Sequence, residues 1–100
     1  MPFIHIVLLP VKPDAPQELV DEVVAEIVAL QEKIPFVRTM RCGKTVTQRG
    51  KQFTHALVAE LENESQLPEY AVHPAHQAVL QKIKQIIGEE TVALDFDSKH

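Results

Sequence analysis

The sequence predicts an α+β fold of the ferredoxin-like type, with the element order β-α-β-β-α-β on one antiparallel sheet. Four short segments are rich in β-branched and large apolar residues, as strands are. Between them, two segments repeat apolar residues every three or four positions, the period of an amphipathic helix. No repeat, low-complexity tract or linker interrupts this order, so we expect one domain over residues 1–100. Two helices on one face of an antiparallel sheet form a compact two-layer unit.

The first strand and the first helix have clear limits in the sequence. Phe3 to Leu9 is apolar on both alternating faces, which is typical of a strand that is covered on two sides. Asp14 followed by Gln17 has the form of a capping box and predicts a helix start. We place the end of this helix near Lys33, because the residue that precedes Pro35 is pushed out of helical geometry.

The middle of the chain predicts a hairpin followed by a short helix. Strands are expected over Phe36 to Cys42 and Phe53 to Leu61, on either side of a polar turn that contains Gly43 and Gly50. A short helix is expected over Glu64 to Ala71, after the helix-start pattern of an asparagine and a glutamine three residues later.

The second helical segment is broken at Pro74. Proline lacks a backbone N–H and fits the first position of a helix, so His73 is predicted to cap a new helix there. Gly88 is predicted to end this helix in the left-handed conformation that glycine adopts easily. A fourth strand over Thr91 to Phe96 then closes the sheet.

Composition excludes several classes of function. The formal net charge of -4 argues against a nucleic-acid partner, which needs clustered lysine and arginine. Cys42 is the one cysteine, so an internal disulfide and a cysteine-based metal site are excluded. No apolar run approaches the length that spans a membrane, and no signal-peptide pattern is present. We therefore expect a cytoplasmic protein with no membrane partner.

The alternation of the strands predicts a homodimer. A two-layer domain would leave one face of its sheet in water, and contiguous apolar surface of that size is rare on monomers. This face carries apolar residues of the first and third strands, namely Ile4, Ile6, Leu8, Ala56 and Val58. Packing two such sheets against each other would bury it.

Four side chains are candidates for a functional site. His5 and His55 alternate with large apolar neighbours, so both are expected on the helix-covered face of the sheet. His76 shares the apolar face of its helix, and Tyr70 lies just before the break. These four side chains are predicted to converge in one interior space. The alternative is that His5 and His55 are hydrogen-bonded core histidines with no functional role.

Three blocks of sequence support a resemblance to a known family. Gly43-Lys44-x-Val46-Thr47-Gln48, Thr54-His55 and His73-Pro74-Ala75-His76 are similar to blocks in the stress-responsive dimeric α/β-barrel (Dabb) domain family, and the similarity extends from His5 to Phe96. The resemblance implies a dimeric α/β barrel. By similarity to a polyketide-cyclising member of the family, it also implies catalysis by Tyr70 and His76, with His5 and His55 as substrate-binding residues.

The implied chemistry is deprotonation of a carbon acid without a cofactor. A neutral His76 would remove a proton next to a carbonyl, and the Tyr70 hydroxyl would donate to the oxygen that gains charge. An intramolecular aldol cyclisation of a polyketide-type substrate would follow. The pocket for this small apolar ligand is predicted to be lined by Val24, Ile27, Val28 and Leu57, together with Val23 and Leu94. The alternative is a non-catalytic, stress-responsive ligand-binding or stability protein on the same dimeric barrel.

Two further features of the sequence leave alternatives open. The resemblance implies a main-chain magnesium site where the first helix ends, at Gln31, Ile34 and Val37, and free carbonyls at a helix C-terminus are suitable oxygen ligands. Separately, no acidic residue occurs between Lys33 and Ala59. This basic span is either an exposed hairpin that faces acidic helices of a partner subunit, or a means of attracting an anionic substrate.

Overall fold

The computed structural model describes residues 2–99. Its elements follow the predicted order, with the second helical segment divided into two helices at His73. In chain order they are β1 (Phe3–Leu9), α1 (Gln17–Lys33), β2 (Val37–Lys44), β3 (His55–Leu61), α2 (Gln66–Val72), α3 (Pro74–Ile86) and β4 (Val92–Asp97).

The four strands form one antiparallel sheet in the order β2-β3-β1-β4. β1 lies between β3 and β4, with His5 opposite Ala59 on one side and Asp95 on the other. β2 pairs with β3 through a register irregularity between Val37 and Thr39. This is the ferredoxin-like α+β fold, as the sequence predicts.

One face of the sheet and the inner faces of the helices form the core. α1 contributes four buried residues at three- and four-residue intervals, and α3 buries three more in the same way. From the strands, the core contains Phe3, Leu9, Val37, Met40, Leu57, Ala59 and Leu61. Lys82 of α3 contacts the carboxylates of Glu22 and Glu26 of α1, at 3.5 and 2.5 Å, and this links the two long helices on their outer side.

The other face of the sheet has no helix on it. We call it the open sheet face, and it presents Ile4, Ile6, Leu8, Ala56, Val58, Val92, Leu94 and Phe96. The β4 residues of this face are the most exposed, at 41% for Val92, 59% for Leu94 and 48% for Phe96. Large apolar side chains are thus gathered on a surface that a monomer would leave in water.

Two predicted helix signals do not operate as expected. α1 begins at Gln17 with Pro16 in the N-cap position, and no side chain caps it. The Gln17 side chain instead donates to Asp21, four residues on, at 2.8 Å. The capping box of Asp14 and Gln17 is therefore wrong, because the extended backbone of Pro16 already leads the chain into the helix.

The end of α3 also differs from the prediction. The helix stops at Ile86, and Gly88 does not adopt the left-handed conformation. The chain leaves the helix extended, so that Ile87 bridges to Val11 and the Gly88 N–H donates to the Pro10 carbonyl at 3.0 Å. A Cβ at position 88 would lie 3.1 Å from the side chain of Lys12, which would have to shift by a few tenths of an ångström to make room for it.

The loops start and stop within two residues of their predicted limits. β2 runs on to Lys44, so that Gly43 and Lys44 of the predicted turn belong to the strand, whereas β3 begins at His55 and leaves Phe53 and Thr54 in the turn. Within residues 2–99, the helices are all too short or too polar to cross a lipid bilayer.

Candidate active site

The break between α2 and α3 positions two aromatic side chains side by side. α2 ends at Val72, His73 takes an extended conformation, and α3 starts directly at Pro74. This sharp bend places the Tyr70 and His76 rings in contact, with 4.3 Å between their centroids and a tilt of 41°. Tyr70 is 2% exposed and belongs to the core. Six residues of sequence thus bring a phenol and an imidazole to one place.

A hydrogen bond fixes the tautomer of His76. Its Nδ1 lies 3.1 Å from the backbone carbonyl of Ala71. A carbonyl oxygen can only accept, so Nδ1 carries the proton and Nε2 keeps its lone pair when the ring is neutral. The Gln77 side chain donates to the same oxygen at 2.5 Å. The first turn of α3 is therefore held against the last turn of α2 by two side-chain donors.

His5 enters the site from β1 with a carboxylate behind it. Its Nδ1 lies 2.5 Å from an oxygen of Asp95, the residue opposite it on β4. His5 also meets the Tyr70 ring edge-on, with 5.6 Å between centroids. Asp95 was not among the sequence candidates, because its proximity to His5 depends on the register of two strands that are 90 residues apart. The signal in the sequence is a lone acid between Leu94 and Phe96 in an apolar strand.

These three rings stand at one end of a cavity of about 200 Å³. The remaining lining comes from β1, α1, β3, α3 and the region of β4, and it is apolar apart from one threonine: Val7, Leu9, Ile27, Leu30, Leu57, Val79, Leu80, Ile83, Thr91 and Ala93. Thr91 and Ala93 are exposed, so the cavity reaches solvent along β4. A small ligand with a polar head and an apolar body fits such a space.

Burial determines the protonation states in the cavity. Desolvation raises the pKa of Tyr70 to about 12, so the phenol stays protonated and can donate. Desolvation lowers the pKa of His76, and the charges of His5 and His73 lower it further, although the hydrogen bond to Ala71 acts in the opposite direction. A neutral imidazole beside a protonated phenol is the combination that base catalysis with an oxyanion donor requires.

The structure divides the predicted lining residues into two groups. Ile27 and Leu57 line the cavity. Val24 borders a separate depression on α1, and Val28 is 41% exposed. Leu94 points to the open sheet face instead of the cavity, because its strand turns Ala93 and Asp95 inward. Val23 is fully buried in the core.

His55 lies away from the other three side chains. It shares the helix-covered face with His5, but it pairs with Leu9, four residues further along β1 and about 13 Å away. Its Nδ1 is 2.8 Å from the Thr54 hydroxyl, which also bonds to the β1 backbone. Burial and nearby Lys44 lower its pKa, while Asp21 raises it. The four predicted side chains thus do not converge; three do.

At the end of α1, the carbonyl groups proposed for magnesium are partly engaged. The Ile34 carbonyl accepts the Val37 N–H at 3.0 Å. The Gln31 side chain, which is separate from its main-chain carbonyl, accepts the Met40 N–H at 2.9 Å. A carbonyl oxygen has two lone pairs, so Ile34 keeps one for a cation. The magnesium site at Gln31, Ile34 and Val37 stays a prediction.

Comparison with known proteins assigns the chain to a family. The model of the stress responsive A/B barrel (Dabb) domain family matches residues 3–98. The chain belongs to the Dabb family. Over 74 residues it is 30% identical to olivetolic acid cyclase of Cannabis sativa. The alignment covers 72% of this chain and 73% of the cyclase.

Solved structures resemble this Dabb chain along nearly its whole length. A dimeric protein of unknown function with a ferredoxin-like fold from Bacteroides fragilis has a TM-score of 0.82 and 27% identity, and the match covers 97% of this chain and 96% of that one. Hydroxynitrile lyase from Passiflora edulis has a TM-score of 0.86 over 99% and 95% of the two chains. At 19% identity, the second likeness concerns the fold alone.

Proposed function

We propose that this Dabb protein is a cofactor-independent cyclase that deprotonates a carbon acid and closes a ring in a polyketide-type substrate. The observation that carries the proposal is the contact between Tyr70 and His76 at the head of an apolar cavity. The similarity to olivetolic acid cyclase supports it, because that relative is named for a cyclisation reaction.

The reaction needs one base and one hydrogen-bond donor. His76 Nε2 takes a proton from a carbon next to a carbonyl group, and the electron pair of the broken C–H bond moves to the carbonyl oxygen. The Tyr70 hydroxyl donates to that oxygen as it becomes negative. The enolate carbon then forms a bond to a second carbonyl carbon of the same chain, and the new alkoxide takes the proton back from His76. The histidine is regenerated and no electrons are lost or gained.

His5 and Asp95 would support this site from the sheet. The Asp95 carboxylate accepts from His5 Nδ1, which orients the ring and leaves Nε2 on its other edge. His5 then packs against Tyr70, so the phenol ring contacts both histidine rings. We assign His5 a substrate-binding role and Asp95 a positioning role.

The experiment uses nonane-2,4,6,8-tetraone, a linear polyketone whose aldol closure and loss of water give 2,4-dihydroxy-6-methylacetophenone. His76→Ala should slow product formation by about 10²–10⁴-fold, the usual contribution of a placed base. Tyr70→Phe removes only the hydroxyl and should cost about 10²-fold, as expected for one oxyanion donor. Product is measured by chromatography against the uncatalysed rate.

Gln85→Ala serves as the matched control, because Gln85 is exposed on α3 outside the cavity lining. It should keep the parent rate, and all three variants should show the parent circular dichroism spectrum. Parent-like rates in both His76→Ala and Tyr70→Phe would exclude this site.

A non-catalytic ligand-binding protein is the second candidate. It is favoured by the lining, which is mostly apolar and would hold a small molecule without reacting with it. This alternative predicts saturable binding of the tetraone with no acceleration of ring closure. The cyclisation assay therefore separates the two functions.

We also propose that the functional unit is a cytoplasmic homodimer. The open sheet face provides the apolar surface, and similar chains such as the one from Bacteroides fragilis are described as dimeric. The single cysteine is consistent with a reducing compartment.

A further inference from the structure

The shape and charge of the cavity restrict the substrates that it can accept. His5, Val7 and Leu9 alternate along β1 and all three line it, so the cavity follows this strand for about 13 Å. The polar groups of Tyr70 and His76 stand at the His5 end. At the far end, Leu9 is 1% exposed and forms the floor. A ligand therefore enters with a defined orientation, its polar head at His5 and its apolar body toward Leu9.

The volume sets a limit on size. A cavity of about 150 Å³ in another protein takes up benzene, a ring of six carbons. By proportion, about 200 Å³ accommodates roughly eight non-hydrogen atoms. Longer chains must leave part of their length in solvent along β4.

The charges around the cavity favour a neutral ligand. Within the part of the chain that the structure describes, residues 2–99, no lysine or arginine lines the cavity. The charge nearest the polar end is the Asp95 carboxylate, 2.5 Å from His5. Two cations of the basic span are engaged elsewhere: Arg38 pairs with Glu60 at 3.4 Å, and Lys44 lies beside His55. An anion placed in the cavity would lose its hydration without gaining a lysine or arginine as a counter-charge, and His5, a cavity side chain that could form a cation, is already paired with Asp95.

Ala93 stands midway along the cavity. It is opposite Val7 in the strand register, between Thr91 and Asp95 on the inward side of β4. Its methyl group leaves the passage open from the polar end to the floor. A larger side chain at this position would fill the space that the ligand body must occupy.

We propose that the substrate is a compact, uncharged carbonyl compound with about eight non-hydrogen atoms inside the cavity, and that Ala93 sets this length limit. This inference rests on the proposed function, since it takes the carbonyl oxygen to lie at Tyr70. It narrows polyketide-type substrates to short ones, or to the short uncharged end of longer ones.

Tyrosine fluorescence gives a direct test of binding. Tyr70 is the only tyrosine and the sequence has no tryptophan, so the emission reports on the cavity alone. The probes are the straight-chain 2-ketones from 2-butanone to 2-dodecanone. Affinity should rise about fourfold for each added carbon, the effect of burying one methylene, up to about seven carbons, which with the carbonyl oxygen make about eight non-hydrogen atoms, and then stay level. A continued rise through twelve carbons would overturn the length limit.

Charge is tested with a matched pair of ligands. Methyl 4-oxopentanoate is uncharged and should bind, whereas 4-oxopentanoate carries a carboxylate and should bind at least about tenfold more weakly. Equal affinity for the two would overturn the preference for neutral ligands.

The role of Ala93 is tested with two substitutions that add the same three carbons. Ala93→Leu should lower the length limit by about three carbons, because the new side chain fills part of the cavity. Ala78→Leu adds the same atoms on an exposed position of α3 outside the lining and should leave the limit unchanged. An unchanged limit in folded Ala93→Leu protein would exclude Ala93 as the determinant.

This inference and the proposed function fail in different ways. If the ketones bind with the expected length limit but the tetraone is not cyclised, the cavity assignment stands and the cyclase function is excluded. If the tetraone is cyclised but the ketone affinities show no length limit, the cyclase function stands and the length limit is excluded.

Discussion

At the residue scale, four histidines of one chain differ by what their Nδ1 atoms contact. Those of His5 and His76 face acceptors, a carboxylate and a carbonyl, so both rings carry their proton on Nδ1. Nδ1 of His73 accepts the Ala75 N–H, which requires the opposite tautomer. Nδ1 of His55 forms a hydrogen bond with the Thr54 hydroxyl, which can either donate or accept. Of the two rings with a free Nε2, His76 lies nearer to the protonated phenol, with 4.3 Å between centroids against 5.6 Å for His5.

The lowered pKa of His76 predicts the pH dependence of the reaction. A base acts only when unprotonated, so kcat/KM should fall as pH drops through the pKa of His76, with a midpoint below 6.5. His5→Gln removes a charge that lowers this pKa, so the midpoint should move toward 6.5. The pH profile of tetraone cyclisation measures both.

For this test, His55→Gln is the comparison, because the charge of His55 is not among the causes of the shift at His76. Its midpoint should match that of the parent protein. A parent midpoint at or above 6.5 would contradict the lowered pKa, and a midpoint that stays in place in His5→Gln would remove the contribution of His5.

Sequence reasoning succeeded for residues that are close in the chain and failed for those that are not. Tyr70 and His76 are six residues apart across a helix break, so local geometry is enough to bring them together. Strand alternation correctly places His5 and His55 on one face, but it does not give their separation along the sheet. Asp95 was missed for the same reason, because its neighbour in space is fixed by register.

At the scale of the elements, the junction of α2 and α3 controls the site. Pro74 starts α3 at a fixed backbone angle, and the His73 side chain accepts the Ala75 N–H at 3.1 Å. The predicted helix break at Pro74 and its cap at His73 agree with the structure, because proline and cap residues act on their immediate neighbours in the chain. The limits of the hairpin and the end of α3 were less accurate, because pairing with other strands decides where those elements stop.

Loss of the His73 cap should lower the stability of the protein. His73→Ala leaves the Ala75 N–H without its acceptor and should reduce the free energy of unfolding by about 0.5–2 kcal/mol. His73→Asn supplies a side-chain oxygen that can accept the same N–H and should recover most of the loss. Urea unfolding followed by circular dichroism measures both variants.

If His73→Ala and His73→Asn unfold at the same urea concentration, the cap contributes nothing. A third variant, Gln85→Ala, controls for general effects of substitution on α3, since Gln85 is exposed and lies far from the helix start.

At the scale of the whole molecule, the open sheet face is the feature that the two-layer fold leaves incomplete. β1, β3 and β4 all present apolar side chains there, while only the opposite face carries helices. Two such faces in contact would give each sheet a cover on both sides, which agrees with the two apolar faces of β1. The dimeric ferredoxin-like proteins that this chain resembles also support a dimer.

The dimer prediction is tested by placing a charge on this face. The parent protein should sediment at twice the chain mass at micromolar concentration. Leu94→Glu should yield monomer, because a carboxylate at a position that is 59% exposed in the single chain would be buried between the sheets.

Val46→Glu puts the same charge on a loop residue that is 98% exposed and should remain dimeric. A parent protein that sediments as a stable folded monomer, or a dimer that survives Leu94→Glu, would show that the open sheet face is not the interface.

The two sides of β4 have a consequence for how this chain can vary during evolution. Small and polar residues of the strand border the cavity, and large apolar ones lie on the open sheet face. A deletion of one residue that shifted the register would exchange the two sets, because side chains alternate strictly along a strand. Leu94 and Phe96 would then block the cavity, while Asp95 would enter the apolar surface. Insertions and deletions before β4 should therefore persist only where the loop at Glu89 and Glu90 absorbs them without moving the strand.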